Sequence, residues 1–347
     1  MYFVRVFIQI FLNIQKTIYI SFLLLIAADV FSQDIHFTQF YNVPLYHNPA
    51  LTGVYGGDIR MTGNYRNQWS NVPLPYSTFQ GSFEQKTRIK HLDNNVLGSG
   101  VILYYDQAGD AKLSNTNILL SSAYTHQLSE KHFLSAGLQF GAGQRRLQSR
   151  HLTFDSQFNG DIFDPNLPTN EDFSNQNIIF VDINTGINWH FQIPEKGISV
   201  DAGLSLAHLN KPRQSFLKDN IRLSRRFTFF ADATVPLTDI WELQPSVLTQ
   251  RQGIYQEVVY GINVKYHLNK TVGNERGVYA GMWHRIGDAL AFAVGIDYLN
   301  LRVGLSYDVN ISPFQTATNQ AGGPEISVIY TITKVKTLEE YKSCPIF

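Results

Sequence analysis

Several residue types are scarce in this 347-residue chain, and each scarcity excludes a class of protein. The single cysteine, Cys344, permits neither an intrachain disulfide nor a multi-cysteine zinc site. Charged residues make up only 16%, and 28 basic residues balance 28 acidic ones, which argues against a nucleic-acid partner. No run of about 18 apolar residues occurs after residue 32, so spanning helices are excluded there.

Aromatic and alternating residues are abundant instead. The chain has 24 Phe, 18 Tyr and 4 Trp and is 44% hydrophobic, too apolar for a disordered protein. Apolar and polar residues alternate with a period of two in several segments, which gives a strand one apolar and one polar face. The clearest of these segments are 59–66, 179–191, 258–266 and 301–309.

The length of these strands separates two all-β folds. Strands of a soluble sandwich usually have about 5 or 6 residues, whereas a tilted crossing of a bilayer takes about 9 to 11. Several runs reach the longer value, so we predict a transmembrane antiparallel up-and-down β-barrel of about fourteen strands. The predicted strands are 58–68, 77–87, 97–106, 113–126, 132–146, 177–192, 197–209, 225–235, 240–250, 255–268, 277–285, 288–298, 300–311 and 324–333.

Four regions follow from this pattern. Residues 1–32 have basic residues, an apolar run and a compact Val30-Phe31-Ser32 ending, which predicts a cleaved signal peptide and export to the outer membrane. Residues 33–57 are rich in turns and aromatics and are expected to fold into the lumen as a plug. Residues 58–333 form the barrel, and residues 334–347 a solvated periplasmic tail.

Connections and strand ends predict an orientation. The longest loops, 147–176, 210–224 and 312–323, all fall in one alternate set, and barrels of this class keep long loops outside, so both termini are expected to face the periplasm. Aromatics at strand ends predict girdles at the lipid–water interfaces. The girdle candidates are Trp69, Trp189, Trp241, Tyr266, Trp283 and Tyr298.

The polar strand faces predict a charged lumen. A charge in contact with lipid at mid-bilayer costs about 2 to 4 kcal/mol, so alternation should turn every charge inward and pair it. Val181 and Ile183 are then expected outside and Asp182 inside. The charges expected to be paired in the lumen are Arg60, Arg66, Asp182, Lys265, Arg302 and Asp308.

Motifs for catalysis or phosphate binding are lacking, and we predict no enzyme activity, no cofactor and no metal. His190 and His267 on polar faces admit an acid–base or hydrolase site, but paired lumen charges explain them more simply. Loop 147–176 is rich in Asp and Asn, yet its spacing departs from the EF-hand pattern, which favours a solvated acidic loop over a calcium site.

Several short motifs resemble one known family. They are Asn48-Pro49-Ala50 with Gly53, Tyr65-Arg66-Asn67-Gln68-Trp69 with Pro73, Ser306-Tyr307-Asp308-Val309-Asn310, Gly322-Gly323-Pro324-Glu325-Ile326-Ser327 with Tyr330, and Cys344-Pro345. In this order they are similar to the PorP/SprF family of type IX secretion system outer-membrane proteins. Ile346 departs from the pattern, where a basic residue is expected.

The resemblance implies a function in secretion. Members of that family work with other type IX secretion components to export or anchor large surface proteins, including gliding adhesins, through the C-terminal domains of those clients. We therefore expect a protein-binding role on the outer loops and the first hairpin, in contact with outer-membrane lipid. Tyr65, Arg66, Gln68 and Trp69 either contact a client or close the barrel beside the last strand, and Asn48, Pro49 and Ala50 belong to the plug.

Two alternatives stay open. An Asn-Pro-Ala segment before fourteen strands is also similar to the hatch of long-chain fatty-acid transporters, which predicts a channel for hydrophobic solutes. A barrel-embedded hydrolase is the other. The transporter requires an apolar pocket beneath the hatch, and the hydrolase requires Ser, His and an acid that converge at the rim.

Overall fold

The computed structural model describes residues 34–68, 76–88, 95–149, 152–173, 175–216, 219–271, 273–313 and 315–333. Within them, fourteen antiparallel strands form a closed barrel in which each strand pairs with its neighbours in sequence and the first pairs with the last. The strands are β1 (Ile59–Gln68), β2 (Tyr76–Arg88), β3 (Val96–Ala108), β4 (Leu113–Gln127), β5 (His132–Arg146), β6 (Asn177–Ile193), β7 (Ile198–Ala207), β8 (Arg226–Pro236), β9 (Trp241–Gln252), β10 (Tyr255–Asn269), β11 (Arg276–Arg285), β12 (Ala289–Tyr298), β13 (Leu301–Asn310) and β14 (Ala321–Ile332).

The predicted barrel is confirmed in strand number and closure. β1 and β14 pair from Ile59 with Ile332 to Arg66 with Glu325, which leaves no open edge between the chain's first and last strands. Strands of 10 to 17 residues are long enough for a tilted crossing of a bilayer. Among the described residues, no helix has the length and apolarity that a membrane span requires. The predicted signal peptide and the tail with Cys344 lie outside the described residues.

The last strand begins earlier than predicted, at Ala321 rather than at residue 324. Gly322 and Gly323 indicated a loop, but Gly323 pairs with Asp308 of β13. A Cβ on Gly323 would lie 2.1 Å from the carbonyl oxygen of Asn67. The absence of a side chain at Gly323 lets β14 run close to β1. The glycine that suggested a turn therefore lies within a strand, where it allows two strands to approach closely.

Side-chain orientation follows the predicted alternation. Val181 is 46% exposed on the outward face, while Asp182 is fully buried in the lumen. On β13, Leu305 and Tyr307 point outward and Ser306 and Asp308 are buried. The apolar face of each strand is therefore directed outward, and the polar face lines the interior.

One aromatic prediction is wrong. Trp189 and Trp241 are exposed on the outward face, but Trp283, expected in a girdle, is 1% exposed and lies inside the barrel. Its ring stacks on Tyr41 at 4.8 Å between ring centroids. The cross-strand neighbours of Trp283 are Gly261 and Ala291, which are small enough to leave the indole room on the lumen side.

The two ends of the barrel differ. We call the end that carries residues 58 and 333 the terminal rim and the opposite end the loop rim. The loop rim carries the connections 69–75, 109–112, 147–176, 208–225, 253–254, 286–288 and 311–320, which include the longest ones. The terminal rim carries 89–95, 128–131, 194–197, 237–240, 270–275 and 299–300.

Residues 35–57 form the plug, a short-helical segment inside the barrel. Prolines at the first position start two of its turns, Pro44–His47 and Pro49–Leu51, where a missing amide proton costs nothing. A third turn spans Phe40–Asn42. Five of its apolar side chains are 0 to 6% exposed and pack in two clusters with lumen residues of the barrel. They are Phe37, Phe40, Val43, Leu45 and Leu51.

Candidate interaction site: a plugged lumen and its loop rim

The Asn-Pro-Ala motif anchors the plug to the barrel wall. Asn48 is fully buried, and its side-chain oxygen accepts a hydrogen bond from the Ala50 amide at 2.8 Å, which caps the Pro49–Leu51 turn. The Asn48 amide group donates to the carbonyl oxygens of Ile187 at 2.9 Å and Leu204 at 3.3 Å. One side chain thus organises the turn and bridges strands β6 and β7.

Glycines on the lumen face make room for this motif. A Cβ on Gly186 would lie 2.0 Å from the Asn48 side-chain oxygen, and one on Gly137 would lie 2.4 Å from the Ala50 nitrogen. A Cβ on Gly203 would lie 2.6 Å from the Asn48 side-chain nitrogen. Glycines on the three strands β5, β6 and β7 therefore leave a space that fits Asn48, Pro49 and Ala50, which we call the glycine bed.

The plug also meets the wall through Tyr46 and His47. Arg226 donates to the Tyr46 carbonyl oxygen at 3.0 Å, and its guanidinium lies 4.3 Å from the centre of the Tyr46 ring. His47 is packed edge-on against Tyr46 and Phe40. Burial, reinforced by the charge of Arg226, holds the pKa of His47 well below that of an exposed histidine, so its imidazole is neutral.

A buried cluster of charges holds the N-terminal end of the plug near the loop rim. We call it the Thr38 cluster, and its members are Thr38, Arg66, Arg285, Asp308 and Glu325. The Thr38 hydroxyl donates to Asp308 at 2.5 Å and accepts from both arginines, at 2.8 and 3.2 Å. Asp308 receives Arg66 at 2.7 Å and Arg285 at 3.1 Å. Backbone amides of Thr38 and Gln39 donate to Glu325 at 2.7 and 2.9 Å.

The end of the plug near the terminal rim is held by a second charged group. The Gly53 amide donates to Glu84 at 2.9 Å, and Arg60 pairs with the other oxygen of Glu84 at 2.7 Å. The Tyr55 ring faces the Arg60 guanidinium at 4.3 Å and the Lys86 ammonium at 4.5 Å. Polar contacts thus hold the plug at both ends, with apolar packing between them.

The predicted pairing of lumen charges is confirmed for all six residues. Besides Arg60, Arg66 and Asp308, Asp182 accepts from His208 at 2.8 Å. Asp297 forms an ion pair with Lys265 at 2.5 Å and accepts a bidentate contact from the Arg302 guanidinium at 2.7 and 2.9 Å. Arg60 and Arg302 reach a carboxylate on the neighbouring strand. The long side chains of Arg66 and Lys265 reach a carboxylate one strand further on.

The first-hairpin motif divides between two environments. Arg66 is buried in the Thr38 cluster, opposite Glu325 of the last strand. Tyr65 is 44% exposed on the outward face, and Gln68 ends β1 at the loop rim, where it pairs with Tyr76. Trp69 lies outside the described residues. Arg66 therefore joins the first strand, the last strand and the plug, while Tyr65 and Gln68 lie at or near the surface.

The two histidines considered for catalysis are each paired with one carboxylate. His190 contacts Asp201 at 3.0 Å, and His267 contacts Glu242 at 3.1 Å. Within the described part of the chain, no group of three or more His, Cys, Asp or Glu side chains is arranged to hold a metal ion. These pairs resemble the other ion pairs of the lumen wall in their geometry.

Loop 147–176 at the loop rim is folded around one glutamine. The Gln157 side chain is buried and donates to the carbonyl oxygens of Pro165 and Leu167, both at 3.2 Å. Acidic and amide side chains of the loop cap local turns: Asn159 accepts from the amides of Asp161 and Ile162 at 3.0 and 2.9 Å.

The tip of this loop exposes apolar side chains. Phe158 and Phe163 are paired by an isolated bridge, and with Ile162 between them they are 55%, 43% and 65% exposed. We call these three residues the loop tip. An ordered apolar patch at the rim of a barrel is a feature typical of protein contact sites.

Sequence reasoning missed several residues that position the plug. Thr38, Gln39 and Asn42 contact the wall, and Arg285 and Glu325 complete the charged cluster. Arg285 and Glu325 carried a usable signal, since each is a charge on a barrel strand. Thr38 carried none, because its partners lie up to 287 positions away in the sequence.

A closed fourteen-strand barrel with an apolar exterior, a charged lumen and an internal plug defines the class of transmembrane β-barrels found in bacterial outer membranes. Residues 29–330 match the family model described as "Type IX secretion system membrane protein PorP/SprF". The chain belongs to the PorP/SprF family. No protein of curated function matches the sequence significantly.

Solved structures of similar shape are known. The toluene transporter TodX of Pseudomonas putida is 11% identical over 83% of this chain and 92% of its own, with a TM-score of 0.49. The toluene transporter TbuX of Ralstonia pickettii gives the same values. A FadL homologue of Pseudomonas aeruginosa is 10% identical over 83% of this chain and 94% of its own, with a TM-score of 0.43.

Proposed function

We propose that this protein is an outer-membrane component of the type IX secretion system that binds secreted surface proteins, such as gliding adhesins, through their C-terminal domains. In this role it helps to export or anchor these clients and works with other components of the system. The supporting observation is the match to the PorP/SprF family over residues 29–330. Residues 1–32 act as the signal peptide, and the loop rim faces the cell exterior.

The lumen contacts favour binding over conduction. The plug is held at one end by the Thr38 cluster and at the other by Glu84, and most side chains between them are buried. Moving it aside would expose or break buried ion pairs, which is costly when one partner loses the other. Recognition of a large client is therefore assigned to the loop rim, and in particular to the loop tip.

The test is a pair of strains. Deletion of the gene should leave the client unattached or unstable at the cell surface, while other outer-membrane proteins assemble normally. Co-purification of the intact protein from native outer membranes, followed by mass spectrometry, identifies that client. Normal client display in the deletion strain together with a defect in uptake of a hydrophobic solute would instead support the channel.

The loop tip provides a sharper variant. Replacing Phe158, Ile162 and Phe163 with serine should reduce client capture while the barrel still folds, because these side chains are exposed and hold no strand. Gln157→Ala is the variant to compare with the triple-serine variant. It removes the hydrogen bonds that Gln157 makes inside the loop and keeps the apolar side chains of the loop tip, so the two variants separate loop structure from apolar contact. Unchanged client capture by the triple-serine variant would remove the loop tip from the proposal.

A further inference from the structure

One strand of the barrel has an open edge at the loop rim. β6 has 17 residues and pairs with β5 along nearly its whole length, down to Asn177. On its other side, β7 pairs with β6 only between Ile193 and Thr185. The segment from Asn177 to Asn184 therefore extends beyond the end of β7, with a sheet neighbour on one side only.

A local turn explains why β7 stops. His208, the residue after β7, has a positive φ of 56°, a backbone conformation that ends the regular ladder between β7 and β6. Its amide donates to the Asn184 side chain at 2.9 Å, and its ring contacts Asp182 at 2.8 Å. These two contacts fix the point of departure.

The open edge presents backbone groups in a defined direction. The carbonyl oxygens of Ile183 and Val181 point to the side that β7 has left, because they accept from the Leu209 amide at 2.9 Å and the Asn210 side chain at 2.7 Å. Alternate residues of a strand direct their backbone groups to the same side. Ile179 therefore directs both its amide and its carbonyl there, and no described residue hydrogen-bonds to either group.

A cleft of about 690 Å³ runs along this edge. Its second wall is segment 210–216, which includes Asn210, Pro212 and Phe216. Arg145 of β5 holds that wall in place, because it donates to the Gln214 side chain at 2.9 Å and faces the Phe216 ring at 5.8 Å. The cleft is thus bounded by a strand edge and a wall tied to the barrel.

We propose that the cleft binds an extended segment of the client's C-terminal domain, which adds as a β-strand to the open edge of β6 at Ile179. Strand addition satisfies exposed backbone groups with main-chain hydrogen bonds and draws selectivity from alternate side chains. Ile179 and Val181 are 72% and 46% exposed on the outward face, so alternate apolar residues of the segment lie beside them. This inference rests on the proposed function, since the client supplies the strand.

The test compares two substitutions at Ile179, one that removes its backbone amide donor and one that changes only its side chain. Ile179→Pro removes the amide donor that points into the cleft and leaves the β5–β6 hydrogen bonds intact, and proline is tolerated on a strand edge. Ile179→Val keeps the donor and a similar side chain. We expect the purified C-terminal domain of the co-purified client to bind Ile179→Pro about tenfold more weakly than the intact protein, and Ile179→Val within about threefold.

Folding and position are checked independently. Unboiled Ile179→Pro should migrate on a gel as the intact barrel does, which shows that weaker binding is not misfolding. A benzophenone amino acid placed at Asn210 should cross-link to the client domain. Equal affinity of Ile179→Pro and the intact protein, or cross-links only between two copies of this chain, would overturn the inference and leave the proposed function standing. Failure of the intact protein to bind any client domain would overturn the proposed function itself.

Discussion

At the scale of single residues, inward side chains have two different uses. Charged ones pair with each other and with the plug, as Arg66 does with Asp308 at 2.7 Å. Glycines leave space for the plug, as Gly186 does beside Asn48. Both uses depend on a neighbour from a distant part of the chain. A single substitution at either kind of residue therefore tests one contact between the barrel wall and its partner.

Removal of one buried charge should be costly. Arg66→Met leaves Asp308 and Glu325 with less positive charge in a buried site, and breaking such a pair costs about 3 to 5 kcal/mol. We expect a lower urea midpoint for unfolding in detergent, measured by loss of the compact band on an unboiled gel. Arg251→Met, at an exposed position on β9, is the control and should change stability by less than about 0.5 kcal/mol. Equal midpoints for the two variants would contradict this.

A single methyl group in the glycine bed should displace the plug. Gly186→Ala places a Cβ 2.0 Å from the Asn48 side-chain oxygen, whereas Gly63→Ala has no heavy atom within 4 Å. We expect faster proteolysis of the plug in Gly186→Ala and no change in Gly63→Ala. Adding Asn48→Ala to Gly186→Ala removes the clash and should recover part of the protection. Equal cleavage of both glycine variants would show that the bed is not tight.

At the scale of elements, the plug and the strands are stabilised differently. Every strand pairs with two neighbours around the ring, so the barrel satisfies nearly all of its own backbone, apart from the open edge of β6. The plug has only short turns, and its contacts with strands β5, β6 and β7 and with the Thr38 cluster hold it. It is therefore an insert in a barrel that closes without it.

Deletion of residues 35–57 should open the barrel without unfolding it. Strands β1 and β14 still pair, since their ladder includes no plug residue. We expect the shortened protein to keep its compact form on an unboiled gel and to show larger conductance steps in planar lipid bilayers. The full-length protein is the control. A full-length protein that conducts as well as the deletion variant would argue against a plugging role.

At the scale of the whole molecule, closure predicts resistance to detergent. A closed ring of strands unfolds only when many hydrogen bonds break together, so unboiled and boiled samples should migrate differently on a gel. Met282→Pro serves as the comparison, because a proline at the centre of β11 removes a ladder hydrogen bond. It should lower the temperature at which the compact band of the unboiled sample is replaced by the band of the unfolded protein. Identical migration of unboiled and boiled intact protein would contradict a closed barrel.

The sequence predicted most of the barrel because a strand's signal is local. Alternation on β6 placed Val181 outside and Asp182 inside, and the cost of a charge in lipid allowed only that orientation. The prediction for Trp283 departs from this reasoning. The place of Trp283 near a strand end suggested a girdle, but it lies two residues from the inward charge Arg285, so the alternation on β11 puts both side chains on the lumen face.

The sequence by itself determined the fold class, the number of strands, the inward face of the six lumen charges that it singled out, and the family. Period-two patterning and strand length are properties of neighbouring residues, so they can be seen without coordinates. Only the tertiary structure decided that Thr38 joins Arg66 and Asp308, that glycines cradle Asn48 and that β6 extends past β7. Each of these depends on where the curved wall brings distant residues together, and no local pattern encodes that distance.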